Sequence, residues 1–246
     1  MGHGFEVDMS AEVDATPEQV WEAISTGPGI DSWFMGRSEV EPKEGGTVRL
    51  TFGGYTPSAT VTSWEPLKRF AYRSEEDGDG RFIAYDFLIE GRDGSTFLRT
   101  VTSGFLPGDD WEGEYESMKM GGEMYFRTLV EYVNRFPGRV SVPLTVFSAV
   151  PDGWDAVRPR IVRALGLAGT AAVGDPARVA VPGLPAAEGV VYVSNPQTLG
   201  VRTDDALYRF VGGFGGSLIL MHELFGDADP VEAERSWRSW LETLAA

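Results

Sequence analysis

The chain has 246 residues, 42% of them hydrophobic, which is enough to bury a full core as one large or two small domains. Its 21 Lys and Arg against 37 Asp and Glu give a net charge of −16, so phosphate backbones and anionic membrane surfaces repel it, and neither nucleic acid nor a membrane is an expected partner. Cysteine is absent, which removes disulfides, thiol catalysis and zinc–thiolate sites.

The N-terminal segment alternates, with Phe5, Val7, Met9, Ala11 and Val13 on one side of a strand. It has neither the basic start nor the apolar core of a signal peptide, and nothing approaches the ~20 apolar residues of a membrane helix, so a cytoplasmic location is expected. Thr16-Pro17-Glu18-Gln19 reads as a helix start: Thr16 caps it, Pro17 takes the first helical position, and Gln19 completes a capping box. Val20, Trp21 and Ile24 form its apolar stripe. Gly27-Pro28-Gly29 is expected to end this helix, and Ile30 to Phe34 to form a second short one that turns Ile30, Trp33 and Phe34 to the core.

From Arg37 the hydrophobic period becomes two. Turn residues at Gly45-Gly46, Gly53-Gly54, Asp77 to Gly80 and Arg92-Asp93-Gly94 divide the stretch into a six-stranded antiparallel meander. Val48, Leu50 and Phe52 share a face, as do Phe70 with Tyr72, and Ile83, Tyr85, Phe87 with Ile89. The last strand puts Leu98, Thr100 and Thr102 on one side and Phe97, Arg99 and Val101 on the other. Apolar groups on that second face are expected to be covered by the rest of the chain.

A long helix follows, read from Trp111 to Phe136. Trp111, Tyr115, Met118, Gly122, Tyr125, Leu129, Tyr132 and Phe136 recur at steps of four and three, which makes one helical face. Its middle is unusual: Met118, Met120, Gly121, Gly122 and Met124 stand where a packed helix would carry Leu or Ala, and each glycine costs about 1 kcal/mol against Ala. Two readings stand. The glycines serve a kink or a close helix–sheet contact, or the helix leaves open space for a ligand.

Strand, two short helices, six-stranded meander and long helix is the helix-grip order. Several stretches then look familiar: Ala15-Thr16-Pro17-Glu18-Gln19-Val20-Trp21-Glu22-Ala23-Ile24, Gly27-Pro28-Gly29-Ile30-Asp31-Ser32-Trp33-Phe34, Glu44-Gly45-Gly46 and Trp64-Glu65-Pro66-Leu67-Lys68-Arg69-Phe70-Ala71-Tyr72-Arg73. Over residues 5–136 the chain resembles the SRPBCC (START-like) superfamily, and within it the activators of heat-shock-protein-90 ATPase and their homologues. The resemblance implies a single grip-shaped cavity, which that superfamily uses to carry lipids and hydrophobic ligands, to cyclise polyketides, or to stimulate a chaperone. The chain departs from the pattern where relatives often carry a histidine near the end of the last strand. It has Thr102 there, before Gly104-Phe105, and the partner domain of the eukaryotic co-chaperone is not recognisable.

Pro137-Gly138 stops the long helix, so the domains are expected at 1–138 and 139–246. The second is read as α+β: a strand at Val140 to Val150, a helix from Trp154 to Leu165 that contains Pro159, strands at Arg178–Val181, Gly189–Ser194, Ala206–Val211 and Ser217–Phe225, and a final helix opened by Asp229-Pro230. Val231, Ala233, Trp237, Trp240, Leu241 and Leu244 form its inward stripe. The order repeats that of the first domain in fewer residues, as in a shortened, diverged second grip domain.

Reactive chemistry is sparse. His222, between Met221 and Glu223, shares a strand face with Leu218, Leu220 and Leu224 and has no triad partner at a recognisable spacing, so it reads as a core histidine. The glycine loop at 212–216 lacks the spacing, the lysine and the following helix of a phosphate cradle. Asp109, Asp110, Glu112, Glu114 and Glu116 cluster where a helix N-terminus favours negative charge. No cofactor and no metal site are expected. A cyclase would need an acid or base inside the cavity; the candidates, Asp86 and Arg99, leave the inner face by strand alternation. The expected ligand site lies between sheet and long helix, walled by Trp33, Phe34, Leu50, Tyr72, Tyr85, Phe87, Met118, Gly122 and Tyr125, with Thr100 and Thr102 as polar groups. Three functions are held: non-catalytic binding of a small apolar or aromatic molecule, a co-chaperone-like module that binds a chaperone or another protein, and a polyketide cyclase-like enzyme.

Overall fold

The computed structural model describes residues 2–109, 111–150, 152–213 and 216–245, and the chain divides into two compact units, Met1–Val140 and Ser141–Ala246. Asp110 of the acidic cluster and Phe214 and Gly215 of the glycine loop lie outside the described residues. Among the described residues no helix is long and apolar enough to cross a membrane.

The first unit runs β1 (His3–Val13), α1 (Pro17–Ser25), α2 (Gly27–Asp31), β2 (Arg37–Val40), β3 (Thr47–Thr51), β4 (Ser58–Glu65), β5 (Arg69–Ser74), β6 (Phe82–Arg92), β7 (Ser95–Leu106) and α3 (Trp111–Arg135). Its seven strands form one antiparallel sheet in the order β1-β7-β6-β5-β4-β3-β2. The first strand therefore closes against the last, and α3 packs across that pair. This is the α+β helix-grip arrangement.

Local chemistry accounts for the entry of the chain into this sheet. Thr16 Oγ1 accepts from the Gln19 N–H at 3.3 Å while Gln19 Oε1 accepts from the Thr16 N–H at 2.9 Å, which is the capping box expected at α1. The second helix begins earlier than expected. Gly27 to Asp31 is helical, because Thr26 caps it by accepting from the Gly29 N–H at 3.1 Å and Pro28 suits the first turn. Trp33 and Phe34 come just beyond its end. The Trp33 indole N–H donates to the Ala23 carbonyl at 2.9 Å, and Asp31 accepts from the Ser38 N–H at 2.6 Å. These two bonds fix the short segment from which Phe34 and Met35 project.

Two contacts within the unit engage side chains on the outer face of β7. The Arg92 guanidinium lies 4.6 Å over the Phe97 ring, and Arg99 holds Asp8 through two hydrogen bonds of 2.9 and 2.6 Å. Along α3 the buried residues are Met124, Phe126, Thr128, Leu129, Tyr132 and Val133, all in its C-terminal half. The N-terminal half, where the glycines stand, is only half-buried or exposed.

The second unit runs β8 (Val142–Ala149), α4 (Trp154–Ala164), β9 (Pro176–Val179), β10 (Ala187–Asn195), β11 (Thr198–Arg202), β12 (Ala206–Gly212), β13 (Ser217–Leu224) and α5 (Pro230–Ala245). Its sheet order, β8-β13-β12-β11-β10-β9, again pairs the first strand with the last and then counts back. The connectivity matches the first unit with one strand and one helix fewer. Strand β11 is absent from the expected set: Thr198, Leu199, Gly200 and Val201 are all buried, so it shows none of the polar–apolar alternation that marks a half-exposed strand. Trp237 and Trp240 of α5 pack onto Phe210 with ring centroids 5.9 and 5.8 Å away.

Candidate functional site

Two cavities occupy the concave side of the first sheet. One, of about 230 Å³, lies beneath α3. The other, of about 460 Å³, extends along β3 to β6. Phe34, Met35 and Tyr85 line both, so these three side chains form a partition in what is otherwise one cleft.

Strand alternation sets the wall of the smaller cavity. On β6, Tyr85 and Phe87 turn inward; on β7, Thr100 and Thr102 do. From β1 comes Met9, and from α3 come Met118, Gly121, Gly122, Tyr125, Phe126 and Leu129. A Cβ built on Gly121 would meet nothing within 4 Å, and one on Gly122 would meet only the Met9 methyl at 3.6 Å, an ordinary contact. The glycines thus leave space rather than permit close packing, and the close-contact reading of this helix is set aside. Met124, which the open-space reading grouped with Met118 and Gly122, is buried and lines neither cavity.

Of the expected residues, Trp33, Phe34, Tyr85, Phe87, Thr100, Thr102, Met118, Gly122 and Tyr125 line the smaller cavity, while Leu50 and Tyr72 line the larger one beside Phe34 and Tyr85. Met9, Met35 and Gly121 belong to the site as well. Met9 was legible as an inward residue of β1, but its reach to α3 depends on the pairing of β1 with β7, in which Met9 opposes Thr100.

The aromatic groups interlock. Phe34 stands 4.4 Å from Tyr125 and 6.1 Å edge-on from Tyr85. Tyr85 in turn is 5.1 Å from Tyr72, and Trp33 meets Phe87 at 6.1 Å. Burial pushes the Tyr85 phenol up to about 12. It raises Tyr72 well above its ordinary value too, with the nearby Tyr85 adding to the effect. Both phenols therefore stay protonated at neutral pH and present O–H donors. Asp86 lines the smaller cavity, but its carboxylate accepts two hydrogen bonds from Arg69, at 3.0 and 2.8 Å. At one end of the larger cavity Arg81 grips Glu114 of α3, with one of its two bonds at 3.2 Å. That pair joins the β5–β6 turn to the helix.

His222 lies in the second unit. Its Nδ1 accepts from the Arg209 N–H at 3.2 Å, its ring packs 4.3 Å from Trp237, and burial pulls its pKa down to about 3. Such an imidazole is neutral and far from any general-base role near pH 7. Beside it Arg209 and Glu223, both buried, form an ion pair of 2.5 Å. Strand alternation had turned Glu223 to the face opposite His222, and its partner is what permits a carboxylate there. Among the described residues no group of three or more His, Asp or Glu could hold a metal ion.

No curated protein matches the chain. Among solved structures it is similar to the protein MLL2253 from Mesorhizobium loti, with 24% identity over 54% of this chain and 98% of that one and a TM-score of 0.47. It is also similar to the Aha1 dimer from Colwellia psychrerythraea, with 19% identity over 53% and 96% and a TM-score of 0.44. A third is CalU16 from Micromonospora echinospora, with 19% identity over 52% and 75% and a TM-score of 0.42. The family model "Activator of Hsp90 ATPase homolog 1-like protein" matches residues 14–134, and that segment is assigned to this family, of the SRPBCC helix-grip type.

Proposed function

We propose that the chain binds a small apolar or aromatic molecule, without altering it chemically, in the cavity between the sheet and α3. The observation that carries this reading is the open space beneath Gly121 and Gly122, walled by aromatic rings and methionines. A helix that sacrifices about 1 kcal/mol per glycine and gains no close contact in return leaves room for something else. Apolar walls with a few convergent polar groups are the ordinary makeup of a small-molecule site. Here the polar groups are the phenol of Tyr85 and the hydroxyls of Thr100 and Thr102, which suit a ligand bearing one carbonyl or hydroxyl. The ionisable groups of the wall argue against catalysis: the phenols hold their protons, and the Asp86 carboxylate is engaged by Arg69.

The test is a titration of the full chain with N-phenyl-1-naphthylamine, a neutral dye whose emission rises in apolar surroundings. A saturable rise with one dye per chain, reversed by unlabelled apolar competitors, is expected. Emission that stays flat, or grows linearly without saturation, would overturn the proposal.

A further inference from the structure

Tyr72 of β5 and Tyr85 of β6 stand directly opposite each other in the first sheet, with ring centroids 5.1 Å apart and an interplanar angle of 34°. Opposed residues of neighbouring strands share a face, so the two phenols enter the larger compartment side by side. Neighbours fix both rings: Tyr72 packs 5.3 Å from Phe70, and Tyr85 packs 6.1 Å edge-on to Phe34.

What the two hydroxyls lack is a partner. Other hydroxyls of this unit donate to carbonyls, Thr96 to Ala15 at 2.6 Å, Thr128 to Met124 at 2.8 Å and Tyr132 to Arg139 at 3.0 Å. Among the described residues neither the Tyr72 nor the Tyr85 hydroxyl makes a hydrogen bond, although Tyr72 is only 8% exposed. Neither oxygen is sealed within packed protein, so each faces the open space of the cleft. A buried polar group without a partner is uncommon in a native fold, and here two of them are aimed into one cavity of about 460 Å³.

The remaining lining restricts what can meet them. Val48, Leu50, Phe52 and Ile83 give the compartment apolar walls. The β5–β6 turn lines one end with Glu75, Asp77 and Arg81, and Arg81 is already held by Glu114. An anion would therefore meet like charges and an engaged cation. A carbonyl oxygen has two lone pairs and no proton, which matches two donors and leaves nothing unpaired.

Taking this cleft as a site for apolar molecules, on which the inference rests, we propose that the larger compartment binds a neutral apolar molecule by one carbonyl oxygen, which accepts a hydrogen bond from each of Tyr72 and Tyr85. Tyr85 lines both compartments but Tyr72 only the larger one, so use of both protons places the carbonyl there. The rings are already fixed, and little rotamer freedom is lost when the ligand arrives.

The experiment titrates the full chain with prodan, a neutral naphthyl ketone whose emission moves to longer wavelength when its carbonyl accepts hydrogen bonds. Two analogues are titrated beside it, one with a methylene in place of the carbonyl and one with a carboxylate in place of the acyl group, and calorimetry gives all three affinities. Saturable binding of prodan is expected, at least about tenfold tighter than that of either analogue. Tyr72→Phe should lower the affinity for prodan several-fold and move its bound emission to shorter wavelength, and Tyr85→Phe should do the same. The removed hydroxyls have no partner in the fold, so each variant should keep the urea midpoint of the parent. Equal saturable binding of prodan and the methylene analogue would overturn the carbonyl contact and leave the apolar reading of the cleft standing, whereas no saturable binding of any of the three compounds would overturn both. Tighter binding of the carboxylate, an affinity for prodan unchanged in Tyr72→Phe, or a marked fall of the urea midpoint in both variants would each overturn the proposal as well.

Discussion

Phe34 and Tyr125 face each other with ring centroids 4.4 Å apart and interplanar angle 51°, and this contact, made from the segment after α2 onto the middle of α3, divides the grip into two compartments. Phe34 is only 7% exposed although a cavity lies on either side of it.

Phe34→Ala should therefore join the compartments at a moderate cost in stability, about 3 kcal/mol and toward the low end for removal of a buried phenylalanine. Urea unfolding measures the cost. The variant should also accept dyes longer than those the native protein binds. A variant as stable as the parent that still rejects the longer dyes would show that Phe34 is no partition.

The buried ion pair of the second unit gives a sharper expectation. Arg209 donates to Glu223 at 2.5 Å and, through Nε, to the Met221 carbonyl at 3.0 Å, while the Ser141 hydroxyl donates to the other Glu223 oxygen at 2.8 Å. Glu223→Ala leaves a guanidinium buried without its counter-charge and should cost about 3–5 kcal/mol. Replacing both partners, Arg209→Met with Glu223→Leu, should recover most of that loss, since desolvating the two charges offsets much of their attraction. A double variant no more stable than Glu223→Ala, by urea midpoint, would contradict this account.

His222 makes stability depend on pH in one direction. Folded, the imidazole stays neutral down to about pH 3; unfolded, it takes up a proton near the ordinary histidine value of 6.5. Above pH 6.5 both states are neutral and the residue contributes no slope. Below it the unfolded chain binds a proton that the folded chain refuses, so stability falls by about 1.4 kcal/mol per pH unit, or about 2 kcal/mol between pH 6.5 and 5. His222→Gln keeps an acceptor for the Arg209 N–H and removes the titration. The difference in unfolding free energy between parent and variant should thus shift by that amount from pH 7 to pH 5. A difference independent of pH would mean that His222 titrates normally in the fold.

How far such features can be read from a sequence depends on whether their cause is local. Thr16 and Gln19 are three residues apart and cap α1 whatever the tertiary context; the inward alternation of Tyr85 and Phe87, or of Thr100 and Thr102, needs only the period of a strand. The turn from α1 to α2 was misplaced by local logic, because Gly27-Pro28-Gly29 resembles a helix stop, whereas the Thr26 hydroxyl makes the same residues a helix start. Strand β11 escaped because burial on both faces erases alternation. The Arg81–Glu114 pair spans 33 positions and Arg209–Glu223 needs the β12–β13 register, in which Leu207 opposes Glu223. Neither follows from any short window.

Gly122 offers the experiment that most affects the functional reading. Two explanations of a glycine in a helix predict opposite signs when it becomes leucine. If the backbone needed close approach, overpacking would cost roughly 1–3 kcal/mol. The structure places only the Met9 methyl near a Cβ at this position, at 3.6 Å, and beyond it lies a cavity of about 230 Å³. Gly122→Leu should therefore gain up to about 1 kcal/mol of helix propensity, and the buried side chain adds roughly 25 cal/mol for each Å² of apolar surface removed from water. The thermal midpoint should rise by about 3 °C or more. The filled cavity should also exclude N-phenyl-1-naphthylamine, so higher stability and lost binding are expected together. Lower stability would mean that the space beneath α3 is needed by the fold itself, and higher stability with undiminished dye binding would move the ligand to the compartment on the far side of Phe34.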